Sequence, residues 1–177
     1  LEKKRTTISI IVPARNEEAN VAALLCSLKS ESKAIHEVII VDDASTDNTA
    51  ELAIDGGATV LTTQPLEDGW NGKPWACYQG AKSATGEWLL FLDADVRLHP
   101  GAIDKLYDLI NSGDKNTAYS VYPHHIVHRP YEELSAYFNA LMVAGVNAFG
   151  YGGSSGANTA LFGQTLLLPK LLYIQNE

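Results

Sequence analysis

Short unbroken apolar runs alternate along the chain with stretches that repeat at helical spacing. Thr7 to Val12 reads as a buried strand ended by Pro13. From Glu17 to Ser30, Val21, Leu24, Leu25 and Leu28 fall at i, i+3, i+4 and i+7, one face of a helix. Asn16 is placed to cap that helix, and Glu17 and Glu18 suit the positive end of its dipole. Glu37 to Val41 is a second strand, nearly all apolar, as expected where both faces of a sheet are covered. A helix opening at Ser45–Asp47 stops at Gly56-Gly57, and Ala58 to Thr63 is a third strand. Gln64 to Gly72 is a loop, and Lys73-Pro74 starts a helix to about Ala84, with Pro74 suited to its first turn. Trp88 to Leu92 is a fourth strand, and Pro100 to Ser112 a helix with Ile103, Leu106, Leu109 and Ile110 on one face. Ala118–Tyr122 reads as a strand, Tyr131 to about Val146 as a helix, Tyr151–Asn158 as a Gly/Ser-rich stretch and Ala160–Leu168 as a last strand.

Strand and helix alternating in this order predict an α/β fold, a mostly parallel central sheet flanked by helices and joined by right-handed crossovers. In such sheets ligands bind beyond the carboxyl ends of the strands, where the strand order reverses. The polar residues of interest fall there. Arg15, Asn16 and Glu17 follow the first strand, Asp42 and Asp43 close the second, and Asp93 and Asp95 close the fourth.

Composition narrows the function classes. The 177 residues suffice for one domain with a real core, and 46% hydrophobic with 19% charged residues is the balance of a globular protein. No apolar run approaches the ~18 residues of a membrane span, and Leu1-Glu2-Lys3-Lys4-Arg5 leads into a strand without a signal-peptide core. A net charge of -8 argues against a nucleic-acid partner. Cys26 and Cys77 lie in predicted helices and read as core or surface thiols, with no disulfide framework or zinc spacing. A first residue that is Leu, and an end at Gln175-Asn176-Glu177 soon after an apolar run, lead to the expectation that residues 1–177 are a fragment of a longer protein.

Ionised carboxylates are costly to bury without a cation or donors. Asp93-Ala94-Asp95 at a strand end suits Mg²⁺ or Mn²⁺, with positions left for water and phosphate oxygens. Two solvated turn aspartates is the plainer alternative, and the second acidic pair at the same edge favours a shared site. Asp43 fits either a turn or an acceptor for a uracil N3–H or a ribose hydroxyl. Lys73, after Gly72 at a helix N-terminus, is placed to meet a phosphate, although the first Gly of a Walker A loop is missing. Trp70 and Trp75 either cover a ligand or pack the core. His124, His125 and His128 precede Pro130 without further zinc-spaced ligands and read as an ordinary polar loop.

Ile11-Val12-Pro13-Ala14-Arg15-Asn16-Glu17-Glu18, Val41-Asp42-Asp43-Ala44-Ser45-Thr46-Asp47 and Phe91-Leu92-Asp93-Ala94-Asp95 together resemble family 2 glycosyltransferases of the GT-A, Rossmann-like fold. The segment Asn71 to Gly80, Tyr122-Pro123-His124-His125 and Tyr131 to Ser135 are similar to the carotenoid (diaponeurosporenoate) glycosyltransferase branch. The resemblance implies a single GT-A nucleotide-sugar-binding domain over 1–177 with its acceptor half incomplete. It implies donor contacts from Pro13, Ala14, Arg15, Glu17, Asp43 (to uracil), Lys73 (to the pyrophosphate side) and Asp93, and a Mg²⁺ or Mn²⁺ ion held by Asp95 with Asp93. The reaction implied is inverting transfer from a UDP-sugar, UDP-glucose foremost, to a lipid-like acceptor such as a carotenoid acid. The general base is expected beyond Glu177, so no catalytic residue is assigned here. The full-length protein is expected at the cytoplasmic face of the cell membrane, attached through segments absent here, and the fragment is expected to be soluble. Ala44 stands where the family often has Gly.

Three alternatives stay open. The acceptor could be a polyprenyl phosphate or a polysaccharide. The fragment alone could be an inactive UDP-binding domain. A sugar nucleotidyltransferase has a related sheet, but its Gly-rich loop after the first strand is missing at Pro13-Ala14-Arg15-Asn16.

Overall fold

The computed structural model describes residues 6–29, 31, 35–121 and 165–175. The elements are β1 (Ile8–Ala14), α1 (Glu18–Lys29), β2 (Glu37–Asp42), α2 (Thr49–Asp55), β3 (Thr59–Thr62), α3 (Gly72–Ser83), β4 (Trp88–Leu92), α4 (Ala102–Ser112), β5 (Tyr119–Ser120), β6 (Thr165–Pro169) and α5 (Lys170–Gln175). The six strands form one sheet in the order β3-β2-β1-β4-β6-β5. β1 pairs in parallel with β2 and β4, β2 with β3, while β6 runs antiparallel to both β4 and β5. The predicted helix over Tyr131–Val146, the stretch Tyr151–Asn158 and the three histidines lie outside the described residues.

Side-chain alternation divides the core in two. Ile8, Ile10, Val12, Ile40, Leu90 and Leu92 pack with Val21, Leu24, Leu25 and Leu28 of α1 and Ile103 and Ile110 of α4 on one face. Ile11, Ile39, Val41, Leu89 and Phe91 pack with Ala76 and Ala81 of α3, and with Tyr173 and Ile174 of α5, on the other. Both faces of the central strands are therefore dry, which is why their sequences are apolar at every position rather than at alternate ones. Gly80 lets α3 lie close on the sheet: a Cβ there would sit 2.6 Å from Ile11 Cγ2 and 2.8 Å from Val41 Cγ2. That contact sets the height of the N-terminal turn of α3 over the carboxyl ends of β1 and β2.

Pro13 does not end β1, contrary to expectation; the strand continues through it, with Pro13 opposite Val41 and Ala14 opposite Asp42. The Ala14 carbonyl accepts from the Asp43 N–H, so Ala14 bonds toward β2 and the donorless Pro13 nitrogen faces β4. Pairing with β4 stops at Ile11 opposite Phe91, so no ladder bond is lost there.

The caps also differ from expectation. Asn16 is not the cap of α1: it sits in the left-handed region with φ 55°, and its side-chain oxygen accepts from the Thr46 N–H at 2.8 Å. The first N–H groups at the start of α1 are met from the β2–α2 loop and the first residue of α2, where the Glu18 N–H donates to Asp47 Oδ2 and the Glu17 N–H to Thr49 Oγ1. Residues 45–48 are therefore not the opening turn of α2, which begins at Thr49. Asp47 spans both helices, its Oδ1 accepting from the Thr49 N–H. The N-terminus of α4 is met similarly by the buried Glu31, whose carboxylate accepts from the Gly101 and Ile103 N–H groups.

Candidate functional site

β1 and β4 are neighbours at the point where strand order reverses, and a cleft of about 370 Å³ opens there beyond their carboxyl ends. Its walls are Pro13, Ala14, Arg15 and Glu17 after β1, Asp43 after β2, Lys73 and Ala76 on α3, and Asp93, Ala94 and Asp95 after β4. Every residue singled out from the sequence as a donor or metal contact lines this one space. Four segments far apart in the chain meet because parallel strands deliver all their carboxyl ends to one edge.

Asp43 and Asp42 separate. Asp42 is buried, 7% exposed, and its Oδ1 accepts from the Ser45 N–H at 3.4 Å, so it shapes the loop and does not line the cleft. Asp43 turns into the cleft, with Oδ1 accepting from the Thr63 hydroxyl at 3.1 Å and Oδ2 3.8 Å from Arg15 Nη1. A Cβ on Gly72 would lie 3.1 Å from Asp43 Oδ2, so glycine at the start of α3 leaves room for that carboxylate. Lys73 Nζ pairs with Asp93 Oδ1 at 2.6 Å. Asp95 is exposed on the cleft wall and has no hydrogen bond or ion pair among the described residues.

The donor set bears on whether a cation fits. Asp93 and Asp95 offer hard carboxylate oxygens of the kind Mg²⁺ and Mn²⁺ prefer. Among the described residues no group of three or more His, Cys, Asp or Glu side chains comes together. Within the described residues a cation would be held by these two carboxylates, with oxygens from a ligand or water beside them, an arrangement that fits a metal bound jointly with an anionic ligand.

Cys77 lies one helical turn beyond Lys73. Burial pushes its thiol up to about 11; the Lys73 charge works against the rise and that of Asp93 with it. It stays a protonated, packed thiol at neutral pH, in keeping with the structural role expected of it; Cys26 is exposed and both are free. The tryptophans take the packing role too. Trp75 is 5% exposed, donates from Nε1 to the Gln64 carbonyl and lies against Trp70 and Tyr78. This aromatic cluster braces the loop before α3, and neither Trp lines the cleft.

Sequence reasoning missed Thr63, Gly72, Ala76 and Ala94. Ala76 and Ala94 have no polar group to attract notice. Thr63 follows β3 directly and Thr62 stands opposite Asp42, so register would have located it.

Among solved structures, glucosyl-3-phosphoglycerate synthase from Mycobacterium tuberculosis, in complex with Mn²⁺, UDP and glucosyl-3-phosphoglycerate, is similar in fold: TM-score 0.67, 23% identity, with 94% of this chain and 57% of that one covered. The same enzyme with Mn²⁺, UDP-glucose and phosphoglyceric acid gives a TM-score of 0.64 at 22% identity, over 94% and 57% of the two chains. In sequence, the 4,4'-diaponeurosporenoate glycosyltransferase of Staphylococcus haemolyticus is 39% identical over 174 residues, 97% of this chain and 46% of the relative. That of Staphylococcus aureus is 39% identical over 166 residues, 93% and 44%. The chain thus spans less than half the length of these curated relatives. The glycosyl transferase family 2 pattern matches residues 9–158, from the first strand through the Asp-x-Asp turn and beyond, so the cleft and the parallel strands whose carboxyl ends form it lie within the match, while β6 lies after it. The α/β architecture with its mostly parallel sheet is the GT-A arrangement, and the chain belongs to glycosyl transferase family 2.

Proposed function

We propose that this chain carries the donor half-site of an inverting glycosyltransferase that takes a UDP-sugar, with UDP-glucose as donor and a lipid-like acceptor, a carotenoid acid. The observation that carries this reading is the meeting of Asp43, Lys73, Asp93 and Asp95 in one cleft at the switch point of the sheet. UDP and UDP-glucose in the structural neighbours support the donor class, and the names of the 39% identical relatives support the acceptor.

In this reading Pro13, Ala14, Arg15 and Glu17 line the nucleotide, partly through backbone, and Asp43 accepts the uracil N3–H. Lys73 leaves Asp93 for the diphosphate, where its ammonium and the N-terminus of α3 meet developing negative charge on the leaving UDP. Asp93 faces the ribose and the metal, and Asp95 holds the metal. A bound Mg²⁺ or Mn²⁺ supplies Lewis-acid stabilisation of the leaving diphosphate. Inverting displacement at the sugar C1 also needs a base to deprotonate the acceptor. We place that base outside residues 1–177, along with the remainder of the acceptor site and the segments that attach the whole protein to the cytoplasmic face of the membrane. Among the described residues no helix is long and apolar enough to cross a membrane.

The test is calorimetric titration of the chain with UDP, with Mn²⁺ and with a chelator. Binding that requires Mn²⁺ and favours UDP over CDP is the expected result. Equal affinity for UDP and CDP would remove the uracil contact of Asp43. No binding by the folded chain in either condition would overturn the donor half-site.

A further inference from the structure

We propose that Arg97 is a positioning residue that sets the geometry of the Asp93-Ala94-Asp95 turn and ties it to the opposite lip of the cleft. This assignment rests on the donor-site reading and adds to it a residue that does not line the cleft.

Asp95 has no side-chain partner among the described residues, and what they supply to place its carboxylate is support of its backbone. That backbone is held from behind. Arg97 Nη1 donates to the carbonyls on both sides of Asp95, Ala94 at 2.9 Å and Val96 at 2.8 Å. The Val96 N–H closes the turn on the Asp93 carbonyl at 3.1 Å. The other arm of the guanidinium, Nη2, donates to Asn20 Oδ1 on α1 at 3.1 Å. Asn20 in turn donates from Nδ2 to Glu17 Oε2 at 2.8 Å, and Glu17 lines the cleft. One planar fork thus connects the turn after β4 to the lip after β1, the two walls between which the cleft opens.

The chemistry calls for arginine. The fork offers several donors in fixed directions and keeps its charge at any working pH. A lysine carries its three donors on one nitrogen at the end of a flexible stem, without the two-armed fork that reaches the carbonyls from Nη1 and Asn20 from Nη2. Asp93 and Asp95 stand on the turn that Arg97 holds, so loss of this support reaches the metal before it reaches the nucleobase. Groups that orient metal ligands from behind commonly change metal affinity by about 10–100-fold when removed.

The experiment is calorimetry on the 177-residue chain, wild type, Arg97→Lys and Asn20→Ala, titrated with UDP in Mn²⁺, with UDP in chelator, and with uridine. Arg97→Lys is expected to weaken Mn²⁺-dependent UDP binding by about 10–100-fold while uridine affinity holds, and Asn20→Ala to shift it in the same direction by less. A structural role alone would lower uridine and UDP affinity alike, and that result overturns the assignment. So does unchanged Mn²⁺-dependent binding in the variants, with the donor-site reading intact. A wild type that binds UDP without any metal-dependent component overturns the assignment, and one that binds UDP in neither condition overturns the donor-site reading as well. If Arg97→Lys does not fold, Asn20→Ala decides on the same readouts.

Discussion

The two edges of the sheet treat carboxylates in opposite ways. At the amino edge, Glu37 opens β2, and its Oε1 accepts from the Ser9 hydroxyl, the Thr85 N–H and the Thr85 hydroxyl at 2.6–2.7 Å. Ser9 is fully buried and accepts in turn from the Gly86 N–H. At the carboxyl edge, Asp95 has no partner among the described residues and Asp93 has one exposed lysine. One sheet bears both sets, Glu37 at the start of β2 and Asp93 and Asp95 after β4, so the contrast is not one of fold. A carboxylate oxygen that accepts three protein donors is engaged in holding the fold, and its worth is stability. A carboxylate left open at a cleft does little for stability and is available for chemistry. Backbone strain follows the same division: the two described non-glycine residues with positive φ, Asn16 and Ala44, both flank the carboxyl edge.

The contrast breaks most plainly at Asp95. Asp95→Ala is expected to remove the Mn²⁺-dependent part of UDP binding entirely while leaving the melting temperature unchanged. Calorimetry and thermal unfolding on one sample check both. A fall in melting temperature with metal-dependent binding retained would put Asp95 among the structural carboxylates.

Glu37→Ala is the mirror experiment. It strands the buried Ser9 hydroxyl and two donors of Thr85, and hydrogen bonds to charged groups are worth about 1.5–3 kcal/mol each at most in net terms. Urea unfolding is expected to show a loss of about that size, with UDP affinity unchanged in the folded protein. Loss of affinity without loss of stability would end the division between the edges.

Lys73→Ala is a smaller effect and sharpens the carboxyl edge. The Lys73–Asp93 pair is more than half exposed on the lysine side, 56%, so its removal is expected to cost under ~1 kcal/mol of stability. UDP affinity is expected to fall while uridine affinity holds. Equal losses for the two ligands would discard the phosphate role.

Much of this was legible in the chain because the sheet is buried on both faces. Apolar runs such as Val38–Val41 and Leu89–Leu92 mark the strands, and in a parallel sheet the residue after each run is at the ligand edge. That logic found Asp43, Asp93 and Asp95 together. It also grouped Asp42 with Asp43, although adjacent residues on a strand face opposite ways. What stayed hidden is long-range and polar. Asp47 and Thr49 cap a helix some 30 residues earlier, Glu31 caps one some 70 residues later, and Arg97 reaches back to Asn20. No local periodicity encodes such partners. Ala44 is an instructive case between the two: the resemblance marked it as a place where glycine is common, and its φ of 55° supplies the reason.

The finest test of the contrast is pH. Burial pushes the Glu37 carboxyl up, but the hydrogen bonds from Ser9 and Thr85, with the charge of His36, outweigh it and hold the group below its ordinary value of 4.5. A folded-state value below the unfolded one means that the unfolded chain takes up the proton more readily. The stabilisation is therefore fully present above pH 4.5 and is lost as pH falls through the lowered folded value. Asp47 is also held low, desolvation again opposed by hydrogen bonds from Thr49 and Glu18, so total stability against pH would mix the two edges. The difference between wild type and Glu37→Gln separates them, because Asp47 is common to both. Glutamine keeps an acceptor for Ser9 and Thr85 and loses only the charge, so the wild type is expected to be ahead by about 1 kcal/mol at neutral pH. That margin should shrink as pH drops below 4.5. A margin that stays constant with pH would mean that Glu37 is held by shape rather than by charge, and the amino edge would no longer be a charged lock set against an open site.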